Sequence, residues 1–166
     1  LRQYADIITS ALEETAPLFD RIAAEQHATT GIYVVASGPN TGAAQTLAMC
    51  YLQEMQWLQA SAFDAGEFLH GAMEIVVEDT PVVVFVGEDA TRPMAERIRA
   101  FVERFSRKGY FVDTADLSLA GVPAAVRPFV SSWLFHAAFT GRIAQYFEAY
   151  TGQPLTTRRY MWKVEY

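Results

Sequence analysis

Apolar residues along the chain follow two different spacings. From residue 3 to residue 26 they recur every three or four positions, which predicts helix, and Pro17 either kinks this helix or divides it in two. Continuous apolar runs are typical of strands covered on both faces, and they occur at residues 32–36, 81–87 and 109–113. Helical spacing returns at residues 43–60, 93–108 and 129–150. Strands that alternate with helices predict an α/β fold, a three-layer sandwich with a mainly parallel sheet between helices.

A polar loop follows the first predicted strand, at residues 37–42. Backbone N–H groups in such a loop, which begins with Ser37 and Gly38, can face an anion or a sugar hydroxyl at the start of the next helix. The loop matches neither a Walker pattern nor G-x-G-x-x-G, so an ordinary turn capped by Asn40 or Thr41 is an equal interpretation. Ligands of parallel sheets gather at the carboxyl ends of strands, near a change in strand order, and we expect this loop there.

The composition predicts one globular domain over residues 1–166, with N-terminal helices at 1–28, an α/β core at 29–151 and a tail at 152–166. Its 13 basic and 19 acidic residues give a formal net charge of −6, which argues against a nucleic-acid surface. The single cysteine excludes an intramolecular disulfide and favours a reducing cytoplasm. No apolar run approaches the roughly 18 residues that span a bilayer. The chain starts at Leu1 without a methionine, which indicates a cleaved start or, as we expect, part of a longer polypeptide.

Glu54 is the first candidate for chemistry. On an ordinary helix it would interrupt an apolar face, formed by Leu47, Cys50, Trp57 and Leu58. A buried carboxylate loses solvation, which suits a general acid or base working near neutral pH. A carboxylate at the edge of the face, paired with an arginine from elsewhere in the chain, is an equally good interpretation.

His70 and Lys163 are weaker candidates on their own. His70 precedes Gly71, whose free backbone can place the imidazole at the edge of a cavity, although a lone histidine is more often structural. Lys163 lies in an irregular tail rich in arginine and aromatic residues, where a solvated lysine is the simpler interpretation. No residue spacing indicates a metal site, a nucleophile elbow or a reactive thiol, so neither a metal nor another cofactor is expected.

Three stretches of the sequence resemble the sugar isomerase (SIS) family, and more narrowly its phosphosugar deglycases that act on fructosamine 6-phosphates. They are residues 54–57, 65–71 and 155–166, of which the last is the most specific. The resemblance implies the SIS fold, a flavodoxin- or Rossmann-like arrangement. It also implies that the chain is the second of two SIS domains, working in a homodimer or a larger assembly and lacking the N-terminal SIS domain.

The same resemblance implies roles for individual residues. Glu54 and His70, sixteen residues apart, match the family's catalytic pair, while Ser37 and Gly38 match a loop that touches the sugar. Lys163 matches a lysine that only some members carry, and Ala72 stands where many members have proline. The expected reaction is the cleavage of a phosphorylated sugar-amine to glucose 6-phosphate and a free amino acid. The alternatives are aldose–ketose or aminosugar phosphate isomerisation, as in the isomerase half of glucosamine-6-phosphate synthase, and phosphosugar binding without turnover.

Overall fold

The chain alternates strands and helices from Ile32 onwards, after one long N-terminal helix. A computed structural model describes residues 2–165, so that Leu1 and Tyr166, the ends of the predicted domain, lie outside the described residues. The helices are α1 (Arg2–Gln26), α2 (Thr41–Gln45), α3 (Ala65–Phe68), α4 (Arg92–Phe105), α5 (Arg127–Leu134) and α6 (Thr140–Thr151). The strands are β1 (Ile32–Ala36), β2 (Ala60–Asp64), β3 (Val82–Val86) and β4 (Gly109–Asp113). Two π-helical segments, Thr46–Met55 and Phe135–Phe139, continue α2 and α5 without a break.

The four described strands form one parallel sheet in the order β2-β1-β3-β4. Central strand β3 is buried along its whole length, as its unbroken apolar run predicts. Its side chains alternate between two cores, with Val83 and Phe85 on one face of the sheet and Val82, Val84 and Val86 on the other. The change of direction in strand order falls between β1 and β3.

Helices cover both faces of the sheet. Helix α1, the α2 helix with its π-helical continuation, and the α5–α6 helix supply the core on the face of Val83. Helices α3 and α4 supply the core on the face of Val82. The predicted three-layer α/β sandwich with a parallel sheet is therefore confirmed.

Two predicted elements differ from the observed ones. The helix expected to reach residue 60 ends at Met55, and residues 60–64 form β2, a strand that the sequence analysis missed. Trp57, with a left-handed φ of 55°, stops the helix and redirects the chain toward β2. The N-terminal helices expected at 1–28 are one helix, Arg2–Gln26, because Pro17 lies inside it without dividing it.

Candidate functional site

Glu54 lies in the second half of a π-helical segment, and this changes which residues share its face. The backbone N–H of Gln56 donates to the carbonyl of Tyr51, five residues earlier, at 3.1 Å. The buried positions are accordingly Leu47, Ala48 and Leu52, with a five-residue step from Leu47 to Leu52. The predicted face is correct for Leu47 and Leu58, which are buried, but wrong for Cys50, which is half-buried, and for Trp57, which is exposed beyond the end of the helix.

A cavity of about 840 Å³ opens beside Glu54, at the amino ends of β1 and β2. This volume falls within the range of small-molecule sites. We call it the amino-edge cavity; its lining consists of Gly31, Ile32, Tyr33, Met49, Gln53, Glu54, Trp57, Leu58, Gln59, Ala60, Ser61, Arg158, Arg159, Tyr160 and Met161. Four of these residues come from the C-terminal tail, so the tail forms one wall of the cavity.

An ion pair joins the tail to Glu54. The Nε atom of Arg158 lies 2.7 Å from Oε1 of Glu54, with the side chains 10% and 22% exposed. The N–H direction is not aligned for a hydrogen bond, so the contact is an attraction between charges. Nη1 of Arg158 donates to the carbonyls of Leu155 and Thr157, at 2.8 and 2.9 Å. Of the two interpretations of Glu54, the structure shows the carboxylate paired with an arginine; Glu54 nevertheless remains accessible from the cavity.

Side-chain hydrogen bonds fix the start of the tail against the end of the π-helical segment. Nε2 of Gln56 donates to the carbonyl of Gln153 at 2.9 Å, and Oγ1 of Thr151 donates to Oε1 of Gln56 at 2.6 Å. The Gln153 side chain donates to the carbonyl of Met55 in return. Because Gln56 is buried, these bonds set the path of the tail toward Arg158.

Arg159 and Lys163 differ in their relation to the cavity. The guanidinium of Arg159 lies over the ring of Trp57, 4.1 Å from its centroid, and both residues line the cavity. Lys163 is exposed and outside the lining, and its Nζ donates to the carbonyl of Arg158 at 2.5 Å. Within this chain, Lys163 therefore supports the backbone that carries the two arginines.

His70 lies apart from Glu54. It is exposed, in the turn that follows α3, and its backbone N–H donates to the carbonyl of Glu67 at 2.9 Å. Strand β2 separates the two residues in the chain, since Glu54 precedes its amino end and His70 follows its carboxyl end. His70 does not line the amino-edge cavity, so the described chain does not bring the predicted catalytic pair into one pocket.

Ser37 and Gly38 lie at the carboxyl end of β1, the opposite edge of the sheet from the cavity. The Ser37 hydroxyl is buried, donates to the Thr91 carbonyl at 3.1 Å and accepts from the Thr91 hydroxyl at 3.0 Å. Gly38 has a φ of 54°, and a Cβ there would lie 2.5 Å from Oγ1 of Thr91. Both residues thus have an evident structural function, and contact between them and a sugar stays a prediction.

The polar loop lies at the change in strand order, where Asp89 contacts it. Oδ1 of Asp89 accepts from the Thr91 N–H at 2.8 Å, and Oδ2 accepts from Nδ2 of Asn40 at 3.1 Å. The loop is therefore at the expected edge of the sheet, and binding of an anion or a sugar hydroxyl by its backbone N–H groups stays a prediction.

Asp113, at the end of β4, anchors a second polar cluster at this edge. Its carboxylate accepts hydrogen bonds from Nη1 and Nη2 of Arg92, at 2.8 and 2.7 Å, and from Nη2 of Arg99 at 2.7 Å. Burial alone would raise the pKa of Asp113, but the hydrogen bonds from Arg92, the Ala115 N–H and Arg99 outweigh it, and the pKa is lowered. This cluster is structural, since all its charges are paired.

Two kinds of feature are absent from residues 2–165. No group of three or more histidine, cysteine, aspartate or glutamate side chains is placed to hold a metal ion there. None of the helices in this range is both long enough and apolar enough to cross a membrane.

The chain is a parallel α/β sandwich domain with a cavity beside Glu54, and comparison with known proteins identifies its family. A family model described as SIS domain matches residues 27–112. The chain therefore belongs to the SIS domain family, and the resemblance seen in the sequence is confirmed.

Individual relatives include deglycases and isomerases of phosphorylated sugars. The chain is 32% identical over all 166 residues to fructosamine deglycase FrlB of Bacillus subtilis, of which it covers 50%. It is 31% identical over 99 residues to fructoselysine 6-phosphate deglycase of Escherichia coli, covering 60% of this chain and 29% of that one. The chain thus spans about half the length of the first relative and less of the second.

Solved structures of proteins assigned as phosphosugar isomerases share the fold of this chain. A Bacillus subtilis protein assigned as a phosphosugar isomerase superposes with a TM-score of 0.92 and 32% identity, over 99% of this chain and 50% of that one. A Salmonella typhimurium protein with the same assignment gives a TM-score of 0.90 and 32% identity, with the same coverage. The domain fold is thus shared across the whole of this chain.

Proposed function

We propose that the chain is the second SIS domain of a phosphosugar deglycase that cleaves a fructosamine 6-phosphate to glucose 6-phosphate and a free amino acid. The observation that carries this proposal is the position of Glu54 on the wall of the amino-edge cavity. All 166 residues of the chain align with FrlB, of which they cover half. The arginines and aromatic rings of the tail beside Glu54 suit a polar, anionic substrate. The cytoplasmic location expected from the single cysteine remains part of the proposal.

Glu54 is the proposed base. Its carboxylate takes the proton from C1 of the open-chain sugar-amine, which leaves an enaminol with a C1–C2 double bond. Return of a proton to C2 converts the enaminol to an imine between C1 and nitrogen. Water then adds to C1, the C1–nitrogen bond breaks, and glucose 6-phosphate and the free amine leave.

The ion pair with Arg158 suits this function in one respect. It holds the Glu54 carboxylate through Oε1, at 2.7 Å, while Glu54 still faces the cavity. A base must be held within hydrogen-bond reach of the proton that it takes, and a fixed carboxylate loses less freedom when the substrate binds.

His70 is proposed to move a proton during opening of the sugar ring, in a site completed by another domain or subunit. This placement is supported by its exposure and by its absence from the lining of the amino-edge cavity. We accordingly propose a homodimer or larger assembly that includes an N-terminal SIS domain. Lys163 is proposed to contact the substrate when that assembly forms.

The test measures turnover of the full-length protein on a panel of fructosamine 6-phosphates, with glucose 6-phosphate and free amino acid as the products assayed. Glu54→Gln and His70→Ala should each lower kcat by about 10²- to 10⁴-fold, the usual contribution of a positioned acid or base. Glu103→Gln is the matched control, because Glu103 is an exposed carboxylate on α4, outside the cavity lining.

The outcomes separate the possible functions. Release of free amino acid together with glucose 6-phosphate supports deglycation. A rearranged sugar-amine without release supports isomerisation, and binding without any product supports a phosphosugar-binding domain. Near wild-type turnover by Glu54→Gln would show that Glu54 is not the base.

A further inference from the structure

Two neighbouring arginines on the tail wall of the amino-edge cavity are held in different ways. Arg158 is 10% exposed, and its guanidinium contacts Glu54 and two backbone carbonyls. Arg159 is exposed, and its side chain forms neither a salt bridge nor a hydrogen bond with residues 4–165, whose side chains the structure describes. The charge of Arg158 is paired with Glu54 and its Nη1 donates to two backbone carbonyls, whereas the guanidinium of Arg159 is available to a ligand.

Trp57 holds the Arg159 guanidinium in place. The guanidinium carbon lies over the indole ring, 4.1 Å from its centroid, in a cation–π contact that needs no hydrogen bond from the guanidinium to another residue. Free coplanar donors are what a carboxylate or a phosphate requires for a two-point contact. Arg159 is therefore already oriented before any ligand binds.

The backbone of Trp57 is itself unusual. Its φ of 55° places a bulky residue in the left-handed region, and 41% of the residue stays exposed. The conformation is fixed on both sides, by the end of the π-helical segment and by a hydrogen bond from Leu58 N–H to the Leu52 carbonyl at 2.9 Å. Backbone conformations of this kind cluster at ligand sites, where the surroundings hold them.

The charges of the cavity point to an anion. Its charged lining residues are Glu54, Arg158 and Arg159. Since Glu54 and Arg158 neutralise each other, the lining keeps one positive charge, on Arg159, in a chain whose formal net charge is −6. A local positive charge in an acidic protein favours an anionic group at that point of the cavity.

On the basis of the proposed function, we infer that Arg159, oriented by Trp57, binds an anionic oxygen group of the substrate. Two groups of a fructosamine 6-phosphate have this chemistry: the sugar phosphate, and the carboxylate of the amino-acid portion. Arg159 is in either case a binding residue, and Trp57 is a positioning residue that acts through it. If the partner is the carboxylate, Arg159 determines which amines the enzyme accepts.

The experiment compares two substrates with the full-length protein: a fructosamine 6-phosphate made from an amino acid, and one made from the corresponding decarboxylated amine. Arg159→Gln should lower kcat/KM by about 10- to 100-fold, mainly through a higher KM, because a charge-assisted two-point contact is lost. A loss confined to the amino-acid substrate identifies the carboxylate as the partner. An equal loss on both substrates identifies the phosphate.

Two further variants show whether the contact has the proposed geometry. Arg159→Lys keeps the charge but lacks the planar fork, so it should recover only part of the loss. Trp57→Leu removes the aromatic ring under the Arg159 guanidinium, so it should raise KM on the same substrate as Arg159→Gln does. Arg104→Gln is the matched control: Arg104 also lies over an aromatic ring, at 5.0 Å from the Phe105 centroid, but outside the cavity lining.

An unchanged KM for Arg159→Gln on both substrates would overturn the inference while leaving deglycation intact. Absence of turnover by the wild-type protein would instead overturn the proposed function. In that case titration calorimetry with inorganic phosphate and with free amino acid tests Arg159 directly. Weaker binding of either anion by Arg159→Gln than by wild type supports the contact, and equal binding contradicts it.

Discussion

At the scale of single residues, opposite charges are paired at both edges of the sheet, with different consequences. Asp113 is buried and receives three hydrogen bonds from two arginines at one edge. Glu54 is paired with Arg158 at the other edge but still faces a cavity. The first pairing buries its carboxylate, which is 2% exposed, whereas the second holds a carboxylate on the wall of a cavity.

Asp113→Asn tests the stability of the fully paired cluster. Removing the carboxylate charge leaves Arg92 and Arg99, both partly buried, with only the more exposed Glu96 as a counter-charge, so the free energy of unfolding should fall by about 1–3 kcal/mol near neutral pH. Urea unfolding of the two proteins measures the difference. Asp79→Asn, at an 82% exposed carboxylate 4.0 Å from Lys108, should change stability by less than about 0.5 kcal/mol.

The effect of Asp113→Asn on stability should also depend on pH. Because the pKa of Asp113 is lowered in the folded state, the folded protein binds fewer protons than the unfolded chain. The stabilisation is complete above the unfolded pKa, near 4, and is lost as the pH falls toward the folded value. The stability difference between wild type and Asp113→Asn should therefore shrink below about pH 4, and a constant difference would contradict this assignment.

Gly38→Ala tests whether the loop after β1 tolerates a side chain. A Cβ at a φ of 54° is strained, and it would also meet the Thr91 side chain, whose hydroxyl is hydrogen-bonded to the Ser37 hydroxyl. We expect a loss of about 2–4 kcal/mol in unfolding free energy, measured by urea titration. Gly152→Ala separates backbone strain from the clash with Thr91, since Gly152 has a φ of 68° but open space around it. This variant should lower the unfolding free energy by only about 1 kcal/mol.

At the scale of elements, the sequence predicted the helices and strands whose signals come from residues adjacent in the chain. Strands β1, β3 and β4 follow from continuous apolar runs, and β4 was predicted at its observed bounds. Strand β2 was missed because residues 60–64 include a single residue with strong strand propensity, Phe63; pairing with β1 makes it a strand. The π-helical segment of Glu54 was missed because its five-residue hydrogen bonding depends on packing against α6.

The position of the tail depends on its hydrogen bonds to Gln56, at the end of the π-helical segment. Gln56→Ala removes two hydrogen bonds that fix Gln153 and Thr151, so the tail should become more mobile and stability should fall by about 1–2 kcal/mol. Hydrogen exchange at the Leu155 amide, which donates to Glu148, should become faster. Gln45→Ala, at an exposed glutamine on α2, is the control and should leave this exchange rate unchanged.

At the scale of the whole molecule, the predicted site residues are divided between the two edges of the sheet. Glu54 lines the amino-edge cavity, Ser37 and Gly38 lie at the carboxyl edge, and His70 is exposed in the turn after α3, beyond the carboxyl end of β2. Residue types and spacing predicted these candidates, but not their arrangement, because which edge a side chain faces depends on the packed fold. The Arg158 and Arg159 contacts were missed for the same reason, although the arginine-rich tail was a visible signal.

Residues 1–166 alone should therefore show no deglycase turnover, while the full-length protein should be active. The reason is that this chain spans half the length of FrlB and does not place His70 in the cavity of Glu54. The assay uses purified residues 1–166 at equal molar concentration with the full-length protein and detects released amino acid. Turnover by residues 1–166 at a comparable rate would show that the site is complete within this chain.

The origin of the cavity wall in the tail has a consequence for biosynthesis. A ribosome delivers all four strands before it delivers Arg158 and Arg159, so a nascent chain can pair its strands while the amino-edge cavity still lacks one wall. Proteolysis just after α6 would remove Arg158 and Arg159, and with them the positive charges of the cavity lining.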